Sequence, residues 1–457
     1  MTQPSSFMRS LPPFGLTRRD ALRLCAAGVA MTSWSGWLQA LAEDAAVNPA
    51  RRRSCILLWM NGGPSQMDTF DLKPGHENGG SFKEIDTSVP GIRISEHLPK
   101  LAQRAEHLAI IRSMSTREGD HGRATYLGRT GYLPQGPIRH PTLGSLVAKE
   151  LGDEEPELPN FVSVSPNRFV NQSAYGPGFL GPKFAPLVVG DGQGDRGPQG
   201  QGSDYGLRVD DLALSEGVGR RTADARWDLW YTLERGFLAE HAQAAAVSHR
   251  TAYERAVKMM RSEAAQAFNL NDEPADLRDA YGRNRFGQGC LMARRLIERG
   301  VPFVEVTLAG IPQPQVPGWD THANNFDSVR RLSEVLDPAW STLLDDLNSH
   351  GLLDHTTIVW MGEFGRTPKI NPNNGRDHFP AAWSTVLAGG GIRGGRVIGR
   401  TSPDGMTVAE RPVSVHDLLA TVCRALGIDP LKQNMSDVGR PIRIVDKDAK
   451  PIEEVLI

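Results

Sequence analysis

Short apolar runs alternate with longer amphipathic patterns along most of this chain, and this alternation restricts the possible folds more than any other feature. The short runs resemble buried strands and lie at residues 56–60, 108–111, 161–164, 301–308, 357–361 and 383–388. The longer patterns have helical periodicity and lie at residues 95–106, 142–151, 277–299, 328–350 and 413–426. Strands that alternate with helices predict an α/β fold whose central, mostly parallel sheet is sandwiched between helices.

One long segment departs from this alternation. Residues 221–268 are rich in alanine, arginine and glutamate, which indicates a helical insertion. No repeat of roughly 20–50 residues is visible, so solenoids and propellers are not expected. We predict a single domain at residues 43–457 with a helical insertion near residues 221–268.

The N-terminal segment has the layout of an export signal. Arg18 and Arg19 precede a weakly apolar stretch, and Ala40 and Ala42 form an Ala-x-Ala cleavage pattern. Paired arginines before such a stretch resemble a twin-arginine signal, so residues 1–42 are predicted to engage that export machinery transiently. The stretch is also long enough for a membrane anchor, but its polar residues favour cleavage over a stable span. The predicted location is periplasmic or extracellular.

Charge and cysteine content narrow the possible partners and compartments. The chain has 51 basic and 53 acidic residues, a formal charge of −2, which does not favour nucleic acid as a partner. Removal of the signal would leave Cys55, Cys290 and Cys423, and three cysteines do not make a disulfide framework. Because each lies in an apolar segment, we predict buried, free thiols.

Four loops at the ends of probable strands collect the residues suited to chemistry, and α/β sheets place their ligands in such loops. The loop at residues 61–71 contains Gly62 and Gly63, whose amides can hold an oxyanion, and Ser65, a candidate nucleophile. The loop at residues 112–123 combines arginines and acids with His121, a candidate base or nucleophile. The alternative interpretations are an ordinary turn for the loop at residues 61–71 and a solvated loop for the one at residues 112–123.

The other two loops carry candidate metal ligands. Asp320 and His322 have one residue between them and can both reach one divalent cation, although Asp320 could instead cap a helix. The loop at residues 362–380 adds three candidate ligands and two guanidinium groups suited to a tetrahedral anion, namely Glu363, Asp377, His378, Arg366 and Arg376.

Several long motifs resemble those of the bacterial family catalogued as domain of unknown function 1501, which is grouped with the alkaline phosphatase and sulfatase superfamily. The resemblance spans roughly residues 52–445, and its motifs lie at residues 58–74, 290–296, 319–322, 362–368 and 375–378. It implies an alkaline phosphatase/sulfatase-like α/β fold with a metal site at the carboxyl ends of the strands. It also implies that Asp320, His322 and His378 are metal ligands.

The chain departs from the superfamily pattern at several positions. Glu363 and Phe364 stand where an aspartate and a histidine are usual, and Asn61 replaces an acidic ligand. The sulfatase nucleophile motif is missing from residues 120–126, which disfavours a formylglycine mechanism. A full two-metal site is therefore not expected.

The residues and the resemblance together predict an exported hydrolase of phosphate or sulfate esters with at most one firmly held divalent cation, which is Zn, Ca, Mg or Mn. Its substrate would be an anionic small-molecule or glycan ester. The alternative is a non-catalytic envelope protein that binds sulfated or phosphorylated glycans on the same fold. A scaffold in an exported complex is a third interpretation. Turnover and metal content distinguish these hypotheses.

Overall fold

The computed structural model describes residues 53–190, 205–209, 212, 214, 217–240, 244–311 and 315–457, without the side chains of residues 237–240, 244–249 and 252. The predicted signal peptide, residues 1–42, lies outside this part of the chain. The described residues belong to one compact unit, Arg52–Ile457. None of the helices among them has the length and apolar character needed to span a bilayer.

The strands of the described residues include eight that form a central sheet and eight that form small hairpins or ribbons. They are β1 Ser54–Met60, β2 Glu84–Asp86, β3 Arg93–Ser95, β4 Leu108–Met114, β5 Phe161–Val164, β6 Leu187–Val189, β7 Phe303–Leu308, β8 Thr356–Met361, β9 Gly365–Arg366, β10 His378–Phe379, β11 Trp383–Gly389, β12 Arg396–Ile398, β13 Arg400–Thr401, β14 Val408–Glu410, β15 Gln433–Met435 and β16 Pro441–Arg443.

The α-helices connect these strands and cover the sheet. They are α1 Pro99–Ala102, α2 His121–Thr130, α3 Leu143–Leu151, α4 Arg220–Glu240, α5 Ala244–Arg261, α6 Ala275–Tyr281, α7 Arg285–Glu298, α8 Asn325–Ser349 and α9 Val415–Ala425. Helices α4 and α5 occupy the predicted insertion.

The central sheet has the strand order β12-β4-β11-β8-β1-β7-β5-β6. Neighbours are parallel except at β11, which runs antiparallel to both β4 and β8. Consequently β1, β4, β7 and β8 all point the same way, and the loops that follow them lie at one edge of the sheet. The predicted fold class, a mostly parallel sheet between helices, is confirmed.

Strand β1 shows how the sheet is buried on both faces. All seven of its residues are buried, and successive side chains alternate between two layers. Ile56, Leu58 and Met60 pack in one apolar cluster with residues of α7 and α8. Leu57 and Trp59 pack in a second cluster with residues of α2, α3 and α9. Burial of each such side chain stabilises the fold by about 1.5–3 kcal/mol.

The six predicted strands are all present, whereas two predicted helices differ. The pattern at residues 95–106 yields only α1 and a short 3-10 turn, and the pattern at residues 277–299 is divided into α6 and α7. The division occurs at Gly282, whose φ is +91°, and Asn284 then caps α7. Helical periodicity did not reveal this break, because it measures only the spacing of apolar residues. The three cysteines of residues 53–457 are free and buried, as predicted.

Candidate functional site

Side chains from three loops meet at the carboxyl edge of the sheet, after β4, β7 and β8. We call His121, Asp320, His322 and His378 the histidine–aspartate cluster. The Oδ1 atom of Asp320 lies 3.3 Å, 3.1 Å and 3.4 Å from the Nε2 atoms of His121, His322 and His378, respectively. The Nε2 atoms of His322 and His378 are 3.0 Å apart. Residues separated by more than 250 positions therefore converge on one point.

The first turn of α2 positions His121. Asp120 caps this helix, and its side chain accepts a hydrogen bond from the Arg123 amide at 2.9 Å. The Nδ1 atom of His121 lies 2.7 Å from Oε1 of Glu363. Burial lowers the pKa of His121, but its contacts with the carboxylates of Asp320 and Glu363 outweigh burial and raise the pKa to about 9.

Asp320 and His322 lie on the loop between β7 and α8. Helix α8 begins at Asn325 with Asn324 as its N-cap, so the alternative in which Asp320 caps a helix is wrong. Burial raises the pKa of Asp320, but its contacts with His121, His378 and Arg366 outweigh burial and hold the pKa well below its usual range. Asp320 is therefore an ionised acceptor at the centre of the cluster.

Glu363 and Arg366 support the cluster from the buried side. Oε1 of Glu363 accepts a hydrogen bond from the Gly62 amide at 3.0 Å, and its buried Oε2 has no hydrogen-bond partner among the described residues. The side chain of Arg366 is 0% exposed and donates to Oδ1 of Asp320 at 2.5 Å, to the Gly63 carbonyl at 3.1 Å and to the Gly62 carbonyl. These contacts tie the glycine loop after β1 to Asp320.

Asp377 and His378 complete the arrangement. Strand β10 pairs with β9, which places His378 opposite Arg366. The Nδ1 atom of His378 donates to the Gly119 carbonyl at 2.8 Å. Oδ1 of Asp377 lies 2.7 Å from Nδ1 of His322, and this contact lowers the pKa of Asp377. Asp377 thus approaches the cluster through His322.

Ser65 and Arg376 do not join the histidine–aspartate cluster. Both are fully buried, and both bind the carboxylate of Asp68, Ser65 Oγ at 2.5 Å and Arg376 Nε at 2.8 Å. Asn325 Nδ2 also donates to Asp68, at 2.8 Å. This second network joins the loop after β1 to the loops that follow β7 and β8. Asp68 was not singled out from the sequence, because a carboxylate in a polar loop gives no sign of the direction in which it points.

The donor atoms of the cluster fit a divalent cation. One ligand atom from each of His121, Asp320 and His378 lies within 4.8 Å of the others, and all three side chains are only partly exposed. Imidazole nitrogens with a carboxylate oxygen are a common ligand set for transition metals. Among the predicted ligands, Glu363 and Asp377 contact the Nδ1 atoms of histidines rather than the centre of the cluster.

A family model described as "Protein of unknown function (DUF1501)" matches residues 52–456. No curated protein matches the sequence.

Several solved structures resemble the chain at low sequence identity. The lipoteichoic acid synthase LtaP from Listeria monocytogenes is 11% identical with a TM-score of 0.39, over 87% of this chain and 75% of that chain. The PsFucS1 sulfatase from Pseudoalteromonas sp. is 13% identical with a TM-score of 0.39, over 86% of this chain and 71% of the sulfatase chain. A protein in the alkaline phosphatase superfamily from Vibrio parahaemolyticus is 13% identical with a TM-score of 0.36, over 83% of this chain and 67% of that protein.

Proposed function

The chain belongs to the family described as protein of unknown function DUF1501, and from this membership and the geometry of the site we propose that it is an exported, metal-dependent hydrolase of phosphate or sulfate esters. The observation that carries the proposal is the convergence of His121, Asp320 and His378 from three separate strand ends. Such convergence at the carboxyl edge of a mostly parallel sheet is typical of binding and catalytic sites.

The reaction is transfer of a phosphoryl or sulfuryl group from an alcohol to water. Water forms a bond to phosphorus or sulfur, the ester bond to the alcohol oxygen breaks, and the alcohol takes a proton. His121, Asp320 and His378 would hold a divalent cation, which would supply Lewis acidity when bound. Arg366 keeps Asp320 ionised and in place, through the 2.5 Å hydrogen bond to Oδ1.

Arg117 is our candidate for binding the substrate anion. Arg366 and Arg376, which the sequence suggested for this role, are fully buried and hydrogen-bonded to protein oxygens. Arg117 is exposed and lies two residues before Gly119, whose carbonyl holds His378. An exposed guanidinium on this loop can pair with a phosphate or sulfate group. Replacement of Arg117 by alanine is expected to raise KM several-fold more than it lowers kcat.

The test is hydrolysis of aryl phosphates and aryl sulfates by the purified protein, with Zn²⁺, Mn²⁺, Mg²⁺ or Ca²⁺ added separately. We expect turnover with at least one metal, and a loss of about 100-fold or more in Asp320→Asn and His378→Ala, because each removes a donor from the centre of the site. His355→Ala is the matched control, since His355 is exposed and lies before β8, away from the carboxyl edge. Absence of turnover with every metal, or unchanged rates in His378→Ala, would contradict the proposal.

Binding of sulfated or phosphorylated glycans without hydrolysis is the second candidate function. It is favoured by the burial of Ser65, which leaves that predicted nucleophile hydrogen-bonded to Asp68 and away from the cluster. Calorimetric binding of a sulfated oligosaccharide, with no released sulfate and no binding of the desulfated control, would support this function over the enzyme.

A further inference from the structure

We propose that the tip of the loop after β5, formed by Phe169 and Val170, receives the apolar face of a ring in the alcohol part of the substrate and so selects ring-bearing esters. This inference rests on the proposed function, because it places the anionic end of the ester at the histidine–aspartate cluster. It goes further by naming the class of alcohol.

The loop after β5 lies at the same edge of the sheet as the cluster. Strand β5 is parallel to β7, so residues 165–176 leave the sheet at its carboxyl edge, where α/β proteins place their ligands. Ser165 turns the chain with a φ of +53°, and its amide donates to the Val189 carbonyl at 2.8 Å. The loop therefore starts from a fixed point on the edge that carries the cluster.

The middle of this loop touches the first turn of α2. Asn171 Nδ2 donates to the carbonyl of Gly122 at 2.9 Å, and Gly122 directly follows His121. A Cβ atom on Gly122 would lie 3.3 Å from the carbonyl oxygen of Val170, so the two backbones are in close contact. Phe169 and Val170 thus lie within two residues of the point where the loop meets the helix that carries His121.

Two further sets of contacts hold the loop in this position. Oδ1 of Asn171 accepts hydrogen bonds from the amide and Oγ of Ser173, at 3.0 Å and 2.8 Å. Ala174 and Tyr175 are buried in an apolar cluster with Tyr126 of α2. The loop is therefore fastened to α2 on both sides of the turn at Asn171, and its tip is preorganised to receive a ligand.

The tip presents apolar side chains to solvent. Phe169 is 89% exposed and Val170 is 37% exposed, although the loop around them is held by hydrogen bonds. A ring that packs on Phe169 removes apolar surface from water, and contacts between rings contribute beyond that burial. The face of an aromatic ring is electron-rich, so the C–H groups of a saturated ring also pack on it favourably. The tip therefore suits a ring, either aromatic or sugar-like.

The position of the tip assigns it to the alcohol part of the ester. A phosphate or sulfate group requires cationic partners, whereas the side chains of Phe169 and Val170 offer neither charge nor hydrogen-bond donors. Glu363 and Arg366 are buried and close the inner side of the cluster. The carbon skeleton of a bound ester must therefore extend toward solvent, where the loop after β5 supplies apolar surface beside His121.

The test compares three phosphonates in which carbon replaces the ester oxygen, so that they bind without being hydrolysed. Benzylphosphonate carries an aromatic ring, cyclohexylmethylphosphonate carries a saturated ring, and ethylphosphonate carries neither at the same charge. With the divalent cations of the hydrolysis assay, we expect calorimetry to show that at least one ring-bearing phosphonate binds about 10-fold more tightly than ethylphosphonate. The ring that binds more tightly distinguishes an aryl alcohol from a sugar-like alcohol.

Substitution of Phe169 tests the residue itself. Phe169→Ala should weaken binding of the ring-bearing phosphonates about 10-fold and leave ethylphosphonate unaffected, whereas Phe169→Leu should retain part of the preference because it keeps apolar surface. Both variants should melt at the temperature of the unaltered protein, since the side chain is exposed. Met435→Ala is the matched control and should keep the full preference, because Met435 is 65% exposed on the separate β15–β16 ribbon.

Equal affinity for the three phosphonates, absence of phosphonate binding, or a ring preference that persists in folded Phe169→Ala would overturn the inference. The two proposals fail separately. A ring preference that depends on Phe169, without hydrolysis of any ester, refutes only the enzyme. Ester hydrolysis by a protein that binds the three phosphonates equally refutes only the role of the loop tip.

Discussion

Gly62 has no room for a side chain beside the backbone of Asp320. Its φ is +107°, and a Cβ atom there would lie 2.4 Å from the backbone nitrogen of Asp320. We expect Gly62→Ala to destabilise the protein by roughly 3 kcal/mol or more and to displace Asp320, because both the strained φ and the backbone clash oppose the side chain. Urea unfolding and metal-binding calorimetry measure the two effects.

Gly75→Ala is the matched control for this prediction. Gly75 also has a positive φ, +82°, but a Cβ atom there would have no neighbour within 4 Å. Its replacement should therefore cost roughly 1 kcal/mol of stability and leave metal binding intact. Equal losses in the two variants, with metal binding retained in both, would show that the contact between Gly62 and Asp320 is unimportant.

The types of residue in the site were predictable from the sequence, but the directions of their side chains were not. Asp320, His322 and His378 could be named because they follow strands, where α/β sheets place their ligands, and because their motifs resemble those of a known family. Arg366 and Arg376 have the same local setting, yet both are buried and bound to protein oxygens. Sequence reveals the charge of a residue, whereas the partner of that charge depends on loops far away in the chain.

At the scale of single elements, the N-terminus of α2 links helix stability to the site. The carboxylate of Asp120 caps the helix, and the next residue is His121. We expect Asp120→Ala to cost about 1 kcal/mol in unfolding free energy and to weaken metal binding, because fraying of the first turn moves His121. Calorimetry and urea unfolding on the same samples measure both.

Asn284→Ala provides the comparison, because Asn284 caps α7 in the same way through the Gly287 amide but does not belong to the site. The Asn284→Ala protein should lose similar stability with unchanged metal affinity. If both cap variants bind the metal as tightly as the unaltered protein, the position of His121 does not depend on its helical cap.

A buried ion pair fixes the other end of α2 to the sheet. Arg129 binds Glu305 of β7 through two hydrogen bonds of 2.5 Å and 2.9 Å, and both side chains are 2% exposed. We expect Glu305→Gln to destabilise the protein by about 3–5 kcal/mol, because it leaves a buried guanidinium without its counter-charge. Adding Arg129→Met should recover much of that loss. A double-mutant cycle by urea unfolding tests this, and additive losses would contradict the coupling.

The elements themselves were largely predictable, because strands and helices have local signatures. The predicted strand at residues 161–164 has the same two ends as β5. The helical pattern at residues 328–350 begins and ends within three residues of the ends of α8. The ion pair of Arg129 and Glu305 was not anticipated, because Glu305 lies inside an apolar run and Arg129 inside a polar helix. Their pairing is a tertiary contact between residues separated by 176 positions.

At the scale of the whole molecule, the order of the strands decides which loops meet. Strands β8, β1 and β7 are adjacent at the centre of the sheet, and β4 is separated from β8 only by the antiparallel strand β11. The sequence predicted a mostly parallel sheet but not this order, because local patterns specify strands without specifying neighbours. The convergence of the loops was therefore a hypothesis until the sheet order was known.

The three buried thiols suit the predicted export of a domain that has already folded. Cys55, Cys290 and Cys423 are buried and free, and burial raises the pKa of each thiol. A chain from residue 43 onward should therefore fold in the reducing cytoplasm, with a melting temperature that excess dithiothreitol does not change. A decrease in the melting temperature under reduction would contradict this expectation.

This property makes the export route testable, because the twin-arginine machinery accepts folded proteins. We expect the double substitution Arg18→Lys and Arg19→Lys to leave the full-length chain uncleaved in the cytoplasm of an export-competent bacterium, as judged by fractionation and immunoblotting. Arg23→Lys, which makes the same chemical change outside the pair, should not reduce export. Equal export of the unaltered chain, the double variant and Arg23→Lys would refute the prediction of a twin-arginine signal. Retention of the double variant in folded form would show that the paired arginines serve targeting and that the domain reaches its final structure without them.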